Sequence, residues 1–244
     1  METYVEKLDK IAAEYHNQEL PDKFIEAISQ RHTFDWLHSN ISQSTRVLEL
    51  GYGDGIVNDE LVTSGYNIEV IEGSPAVSTA ARSKNPALTI HTELFERFSP
   101  AYQYDSIIAF HVLEHIDHPV SLLKRMRNWL NPGGRILILC PNQNSIHRQL
   151  AVEMGIQETL DELSPRDKLV GHQRVYSLDT LQSDVEAAGF RVSERKGFFF
   201  KPLPNGMMTE FSEDLIWAMN RISDEMPAEM LANIGMVISP EEKD

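Results

Sequence analysis

Hydrophobic residues along the chain fall in short runs that are separated by longer amphipathic stretches. Five of these runs have the length of a buried strand. The predicted strands are Arg46–Leu50, Asn67–Ile71, Leu88–His91, Ser106–Phe110 and Arg135–Leu139. Helical spacing of apolar residues predicts helices between them at Ile56–Thr63, Pro75–Ser83 and Val120–Leu130. Because strands alternate with helices at the spacing of βαβ units, the pattern predicts a parallel sheet.

Both ends of the chain extend this alternating pattern. Helices are predicted at residues 5–15 and 22–38, before the first strand. The later elements are the helix Leu178–Ala188 and the strands Phe190–Phe200 and Ile234–Ile238. Residues 131–134, NPGG, are predicted to break the chain before the fifth strand. Together these elements predict an α/β fold with a Rossmann-like, doubly wound, mostly parallel seven-stranded sheet and helices on both faces.

The length of the chain suits one domain, which we divide into four consecutive parts. These are an N-terminal helical lid at 1–42, a ligand-binding core at 44–142, an insertion at 142–176 and the C-terminal half of the sheet at 177–244. In open α/β sheets, ligands bind beyond the carboxyl ends of the strands. Because the insertion follows the fifth strand, it begins on the ligand side, and we predict that it covers the substrate.

Composition excludes several classes of partner. The formal net charge of -15 repels nucleic acid and anionic membranes. No apolar run approaches the roughly 20 residues that span a bilayer, and the charged N-terminus lacks the apolar core of a signal peptide. The single cysteine, Cys140, fits a reducing compartment. We therefore expect a cytoplasmic protein that acts on a small molecule, and its oligomeric state stays open.

Three glycines follow the first predicted strand in residues 49–55, ELGYGDG. Glycines allow a tight turn and a close approach of the backbone to a ligand, and the helix that follows presents free N–H groups. The dinucleotide fingerprint G-x-G-x-x-G requires a last glycine where this chain has Ile56. The loop therefore predicts a ligand site and argues against a nicotinamide-dependent dehydrogenase.

An acidic residue closes the second predicted strand. Glu72 lies in the segment VIEGSP, 17 residues after Gly55. A carboxylate at this place can accept hydrogen bonds from both hydroxyls of a ribose, as it does in dinucleotide-binding folds. The alternative is a solvated glutamate in a loop. Because the glycine loop lies upstream, we interpret Glu72 as a ribose ligand.

The segment 49–55 has the form E-x-G-x-G-x-G, which resembles the first motif of class I S-adenosylmethionine-dependent methyltransferases. Segments 91–94 (HTEL), 104–109 (YDSIIA) and 130–135 (LNPGGR) resemble the same family. The resemblance covers residues 44–142 well and residues 171–200 more loosely, and it implies binding of S-adenosylmethionine. The cofactor contacts that it implies are Glu49, Gly51, Tyr52, Gly53, Glu72, Gly73, Ser74, Glu93, Leu94 and His111.

Two histidines and a glutamate follow the fourth predicted strand in residues 111–115, HVLEH. Read alone, H-x-x-E-H is the pattern of the inverzincin peptidases, which need both histidines on one face of a helix. L-E-H at this place also resembles the loop of small-molecule O- and N-methyltransferases, including those of ubiquinone biosynthesis. Because the segment closes a buried strand downstream of the glycine loop, we prefer the methyltransferase. A metal-dependent hydrolase is the alternative.

The same resemblance implies the catalytic residues. Methyl transfer to a hydroxyl needs a group that accepts the proton, and histidine titrates near ~6.5. His115 and His172 are the candidates for this group, and His111 and Glu114 complete the predicted catalytic set. This segment also resembles the corresponding segment of small-RNA 2′-O-methyltransferases. Those enzymes have a glutamate where this chain has His111, and their side chains at these positions, with a histidine beyond the fifth strand, hold a divalent metal. Histidines with one carboxylate would suit zinc, iron or manganese, so a metal is an alternative role for these side chains.

Substrate contacts are expected from the insertion. The candidates are Asn142, Arg148 and Arg174. The two arginines stand out because cations are few in this acidic chain and can bind a phosphate or carboxylate. The alternative is a solvated face of ordinary ion pairs, since acidic residues are interleaved. Resemblance to methyltransferases of polysaccharide and secondary-metabolite pathways implies transfer to a hydroxyl, less readily an amine, of a small molecule such as a sugar or natural-product intermediate. A catalytically silent cofactor-binding protein would keep only the glycine loop.

Overall fold

The computed structural model describes residues 4–15 and 20–241 of the chain. Within this part, one sheet contains seven strands. They are β1 Arg46–Leu50, β2 Asn67–Glu72, β3 Thr89–Thr92, β4 Tyr104–Phe110, β5 Leu130–Pro141, β6 Phe190–Phe198 and β7 Asn233–Pro240. The strand order is β3-β2-β1-β4-β5-β7-β6, and β7 runs antiparallel to both of its neighbours. The prediction of a mostly parallel, seven-stranded α/β fold is confirmed.

Helices cover both faces of the sheet. In the described part of the chain they are α1 Tyr4–Tyr15, α2 Lys23–His32, α3 Phe34–Asn40, α4 Ile56–Thr63, α5 Pro75–Lys84, α6 Pro119–Trp129, α7 Ile146–Glu153, α8 Pro165–Leu169, α9 Leu178–Ala187 and α10 Glu213–Ile222. In this part of the chain, no helix combines the length with the hydropathy that a transmembrane segment requires.

Neighbouring residues of the central strands point to opposite faces of the sheet. On β4, the fully buried Ile107 packs with residues of α6 and α9, whereas Ile108 packs with residues of α3, α4 and α5. On β5, Ile138 and Leu137 divide between the two faces in the same way. The uninterrupted apolar runs in the sequence therefore reflect strands that are buried on both faces.

The single helix predicted at 22–38 is wrong, because the structure has two helices there. The first ends at His32 and the second begins at Phe34. Between them, the backbone N–H of Thr33 donates to the carbonyl of Gln30 at 3.0 Å, and its hydroxyl donates to the same carbonyl at 2.7 Å. This turn is tighter than an α-helical turn, and the threonine side chain competes for the backbone acceptor.

The break predicted at 131–134 is also wrong, because β5 begins at Leu130 and includes these residues. Gly133 has a φ of +78°, and the pairing of β5 with β4 shifts register opposite this stretch. The side-chain amide of Asn131 donates to the carboxylate of Asp105 at 2.8 Å and anchors the stretch to β4. The glycine-rich sequence therefore forms an irregularity inside the strand and not a loop before it.

The carboxyl ends of six strands lie along one edge of the sheet. β1 to β5 are parallel, and β6 runs in the same direction because β5 and β6 are both antiparallel to β7. Strand β6 ends at Phe198, two residues before its predicted end, since Phe199 has a left-handed φ of +65°. Beside this edge, α2, α10 and the segment after β6 form a separate apolar cluster around Ile25 and Ile216. Ligands of open α/β sheets bind at such an edge.

Candidate active site

A cavity of about 970 Å³ opens at the carboxyl edge of the sheet. Its walls come from the loops after β1, β2 and β4, from α1 and α2, from the insertion 142–176 and from the segment 199–207. Ligand pockets in proteins range from roughly 300 to 1,000 Å³. This cavity lies at the upper end of that range, so it has room for a nucleoside-sized ligand and a second small molecule.

The glycine loop faces the cavity. Gly51 and Gly53 have φ values of +77° and +52°, and a Cβ added to either would meet no atom within 4 Å. Gly55 is different, because an added Cβ would lie 2.5 Å from the hydroxyl oxygen of Tyr52. Tyr52 is buried in the apolar cluster beneath α4 and α5, and it also lines the cavity. The loop thus has a packed inner side and an open side on which a ligand can approach the backbone.

Backbone N–H groups hold the carboxylate of Glu72 at the cavity wall. One oxygen accepts the N–H of Tyr52 at 2.9 Å, and the other accepts the N–H of Ser74 at 2.7 Å. Ser74 also caps α5, because its hydroxyl accepts the N–H of Val77 at 3.1 Å. Glu72, Gly73 and Ser74 all line the cavity. The carboxylate is therefore fixed in orientation before any ligand binds, which is the arrangement that a ribose ligand needs.

Glu49 is a buried acid at the end of β1, and it lines the same cavity. The side-chain amide of Asn58 donates to its carboxyl group at 3.1 Å. Burial raises the pKa of Glu49 to about 8, against the opposing effect of this hydrogen bond. Glu49 is therefore largely protonated at neutral pH in the cofactor-free protein.

The predicted cofactor contact at Glu93 is not found in the cavity wall. Glu93 is exposed, and its carboxylate accepts the N–H of Leu94 at 2.9 Å. The wall at this point consists of Leu94, Phe95 and Glu96. We correct the expectation accordingly: the segment after β3 reaches the cavity, but through the residues that follow the glutamate.

The HVLEH segment is a tight turn and not a helix. His111 has a left-handed φ of +55°, and its N–H donates to the carbonyl of Leu139 at 2.7 Å. Leu113–His115 then form a single 3₁₀ turn. Because the inverzincin site needs two histidines on one face of a helix, the metal-dependent hydrolase is the wrong interpretation of this segment.

The structure brings the four predicted catalytic residues together. Glu114, His115 and His172 each place one potential ligand atom within 4.8 Å of the others. The rings of His115 and His172 meet edge to face, with their centroids 4.7 Å apart. His111 joins the group because its Nδ1 lies 3.3 Å from Oε1 of Glu114. The three histidines line the cavity, and the glutamate lies behind them.

Charge in this cluster is unevenly distributed. Burial by itself raises the pKa of Glu114, but His111, His115 and His172 outweigh burial and hold that pKa at about 2. The ionised carboxylate has no hydrogen bond of good geometry on either oxygen among the described residues. Burial lowers the pKa of His115 below its ordinary value of 6.5, so this ring is neutral at neutral pH.

Sequence reasoning missed Asp167, which orients His172. Its carboxylate accepts from Nδ1 of His172 at 2.9 Å, from Arg148 at 2.5 Å and from the hydroxyl of Ser164 at 2.7 Å. Burial favours protonation of Asp167, but these partners hold its pKa well below the usual range. The ionised carboxylate keeps a proton on Nδ1 of His172, which leaves the lone pair on Nε2. In the sequence, Asp167 is one acidic residue among several interleaved with basic ones.

The three predicted substrate contacts are bound to protein groups. Arg148 is buried and donates to Asp167 and to two backbone carbonyls of the insertion. The amide of Asn142 donates to two backbone carbonyls before β7, each at 2.8 Å. Arg174 donates to carbonyls of the turn that carries His115, and it does not line the cavity. Asn142 and Arg148 nevertheless line the cavity, so a substrate contact at these two residues stays a prediction. The expectation is corrected for Arg174, which stabilises the turn behind the wall.

Residues 13–195 match the protein family described as Methyltransferase domain. The chain belongs to this family. It is an S-adenosylmethionine-dependent methyltransferase. The matched residues include the glycine loop, Glu72 and the histidine cluster. The family assignment therefore covers the cavity that these residues line.

Relatives of known type agree with the assignment. The ubiquinone biosynthesis O-methyltransferase of Aeromonas salmonicida is 24% identical over 211 residues, which cover 83% of this chain and 87% of that protein. The CcbJ methyltransferase from Streptomyces caelestis has a TM-score of 0.62 at 18% identity, covering 96% of this chain and 98% of that one. The plantazolicin methyltransferase BpumL, solved in complex with S-adenosylhomocysteine (SAH), has a TM-score of 0.58 at 15% identity, covering 96% and 90%. The solved structures share the fold of this methyltransferase.

The cavity of the methyltransferase fits its cofactor. Beyond the open glycine loop, Glu72 can receive the ribose and Glu49 can face the amino acid end. S-adenosylmethionine supplies a methyl group that is already activated, so the protein contributes chiefly by positioning the two reactants.

We predict that Glu72→Ala weakens binding of SAH at least ~tenfold, because charge-assisted hydrogen bonds to the ribose are lost. Isothermal titration calorimetry measures the affinity. The matched control is Glu93→Ala, which removes an exposed carboxylate outside the cavity and should leave the affinity unchanged. Because Glu72 also accepts backbone N–H groups, thermal unfolding verifies that the variant is folded. Equal affinities for the two variants would contradict the assignment.

We also predict that binding of SAH releases a proton from Glu49. The carboxyl is protonated at pH 7 because its pKa is about 8, and the ammonium group of the ligand favours the ionised form. Calorimetry in buffers of different ionisation enthalpy should show release of up to about one proton, and binding should tighten as the pH rises toward 8. Glu49→Gln should abolish the release. The same release from the variant would assign the proton to another group.

Proposed function

We propose that this methyltransferase transfers the methyl group to a hydroxyl of a small molecule, with His172 as the general base. The pair formed by Asp167 and His172, beside the neutral ring of His115 at the cavity wall, is the observation that carries the proposal. A base that is oriented by a buried carboxylate is the arrangement that hydroxyl activation requires.

Each residue of the cluster has a distinct part in the proposed reaction. The hydroxyl loses its proton to Nε2 of His172 as its oxygen approaches the methyl carbon. The imidazolium that forms is stabilised by Asp167, which keeps its negative charge throughout. His115, neutral and edge-on to the base, limits the orientations of its ring.

The oriented base favours a hydroxyl over an amine as acceptor. A neutral amine carries its own nucleophilic lone pair and attacks before it loses a proton. An alcohol or phenol at neutral pH gains more from a base, because its oxygen becomes a strong nucleophile only as the proton leaves. The relative from Aeromonas salmonicida is likewise an O-methyltransferase, which supports the choice of oxygen.

A divalent cation is the second candidate for the same side chains. The specific observation is the ionised, fully buried Glu114, whose oxygens make no hydrogen bond of good geometry among the described residues. One carboxylate with His115 and His172 suits Zn²⁺, Fe²⁺ or Mn²⁺ better than Mg²⁺. Nδ1 of His172 donates a hydrogen bond to Asp167, and histidines that bind a metal through one ring nitrogen usually donate such a hydrogen bond from the other. A bound ion would supply positive charge that stabilises a deprotonated hydroxyl.

The proposal is tested by screening hydroxylated small molecules for methyl transfer from radiolabelled S-adenosylmethionine and then measuring variants with the best acceptor. His172→Ala should lower kcat by ~10²–10⁴-fold, the usual contribution of a general base. The matched control is His118→Ala, because His118 is exposed, follows the same turn and does not line the cavity. Both variants should bind SAH as the wild type does. A His172→Ala variant that keeps the wild-type kcat would refute the assignment of the base.

Removal of metal separates the two candidate roles of the cluster. If His172 acts as a base, extended dialysis against EDTA should leave kcat unchanged, and elemental analysis of the active protein should find less than one equivalent of Zn, Fe or Mn. Loss of activity that is restored by stoichiometric Zn²⁺ or Mn²⁺, but not in Glu114→Gln, would assign the cluster to a cation instead. Wild-type protein treated with the metal-saturated chelator serves as the control.

A further inference from the structure

Lys201 enters the cavity from the end of β6. That strand ends at Phe198, and Phe199 then has a left-handed φ of +65°, which is uncommon for a residue with a bulky side chain. The carbonyl of Phe199 accepts the N–H of Ala232 at 2.9 Å and fixes the turn. Because the chain turns away from the sheet here, Lys201 becomes part of the cavity wall.

Strand order places this lysine far from the ribose contact. Five strand-to-strand steps separate β6 from β2, the strand that ends at Glu72. At roughly 4.8 Å per step, the two strands lie about 24 Å apart. The charged groups that act on Lys201 include Glu26 of α2, Arg148 of α7 and Asp167 of α8. Since Asp167 orients His172, Lys201 lies on the acceptor side of the cavity, near the proposed base.

The ammonium group of Lys201 has no hydrogen bond or ion pair within residues 4–15 and 20–241. Two of the three carboxylates that act on it have ion-pair partners of their own: Glu26 pairs with Lys23 at 3.3 Å, and Asp167 pairs with Arg148 at 2.5 Å. Burial lowers the pKa of Lys201 to about 8, against the opposing attraction of these two carboxylates and of Asp22. A partly buried cation without a direct partner is costly, so a ligand that brings a negative charge would relieve the cost.

Two further polar groups of the cavity wall also lack partners. Nδ1 of His147 and Oδ1 of Asn205 are buried and make no hydrogen bond in the described part of the chain. Burial and the charges of Lys201 and Arg148 lower the pKa of His147, so its ring is neutral and can donate one hydrogen bond. Lys201, His147 and Asn205 line the same cavity. Together they present one positive charge and additional polar atoms to whatever ligand binds there.

We propose that Lys201, assisted by His147, binds an anionic group of the methyl acceptor, either a carboxylate or a phosphate. The inference rests on the proposed transfer to a hydroxyl and specifies its substrate class, a hydroxy acid or phosphate ester that presents a separate hydroxyl to His172. Arg148 and Arg174, the cations expected to bind such a group, are committed to protein acceptors. Lys201 and Arg166 are cations of the cavity wall without an ion pair among the described residues, and Lys201 is the one of these two whose charge acts on His147.

The test compares the wild type, Lys201→Met and the control Lys196→Met, each saturated with SAH. Lys196 lies on β6, pairs with Asp224 at 3.2 Å and does not line the cavity. Thermal unfolding is followed with inorganic phosphate as the probe, at an ionic strength kept constant with chloride. Phosphate should raise the Tm of the wild type and of Lys196→Met, with an apparent affinity about tenfold weaker in Lys201→Met. Without phosphate, Lys201→Met should melt above the wild type, because a partly buried charge without a direct partner has been removed.

Three outcomes would overturn the proposal. Phosphate could stabilise the wild type and Lys201→Met equally, or Lys201→Met could melt below the wild type, which would make the lysine a structural partner. A loss of SAH affinity confined to Lys201→Met would show that the lysine binds the carboxylate of the cofactor. Equal SAH affinity in all three proteins supports the acceptor as the source of the anion. Because no arm measures methyl transfer, failure here is distinct from failure of the proposed base, which is measured by kcat.

Discussion

The direction of the strands is the constraint on which the site depends. Parallel strands deliver the loops that follow them to one edge, so the glycine loop after β1, the carboxylate that ends β2 and the histidine turn after β4 meet there. Two residues at this edge, His111 and Phe199, have left-handed backbones although neither is glycine. Such conformations persist where the surrounding structure determines them, and here backbone hydrogen bonds tie His111 to Leu139 and Phe199 to Ala232. The sheet therefore supports the unusual turns that aim side chains into the cavity.

A buried carboxylate connects the folding of the insertion to the proposed chemistry. Asp167 closes the capping box of α8 with Ser164, pairs with Arg148 and holds His172. One negative charge thus stabilises the local fold and orients the proposed base. It also binds the arginine that the charge pattern suggested for the substrate, Arg148, which makes Lys201, from a distant segment, our candidate for the cation that binds a ligand.

Local patterns predicted most of the fold and several residues that line the cavity around the glycine loop. The buried strands, the glycine loop and Glu72 follow from residues that are near one another in the sequence. The tertiary contacts did not follow: Asp167 and Lys201 gain their roles only when helices and turns from different segments meet. Local competition explains the mistaken helix at 22–38, where a threonine side chain captures a backbone acceptor. The expectation for Glu93 was wrong by one or two positions, because a pattern locates a turn more reliably than the direction of each side chain.

A crystal structure of the protein with SAH tests the central claim most directly, because the claim is that one cavity holds the cofactor and turns its reactive end toward the proposed base. The account predicts that the ribose hydroxyls bind Glu72, that the sulfur faces His115 and His172, and that open volume continues from the sulfur to Lys201. A ligand whose ribose lies away from Glu72, or whose sulfur faces away from the histidine pair, would contradict it.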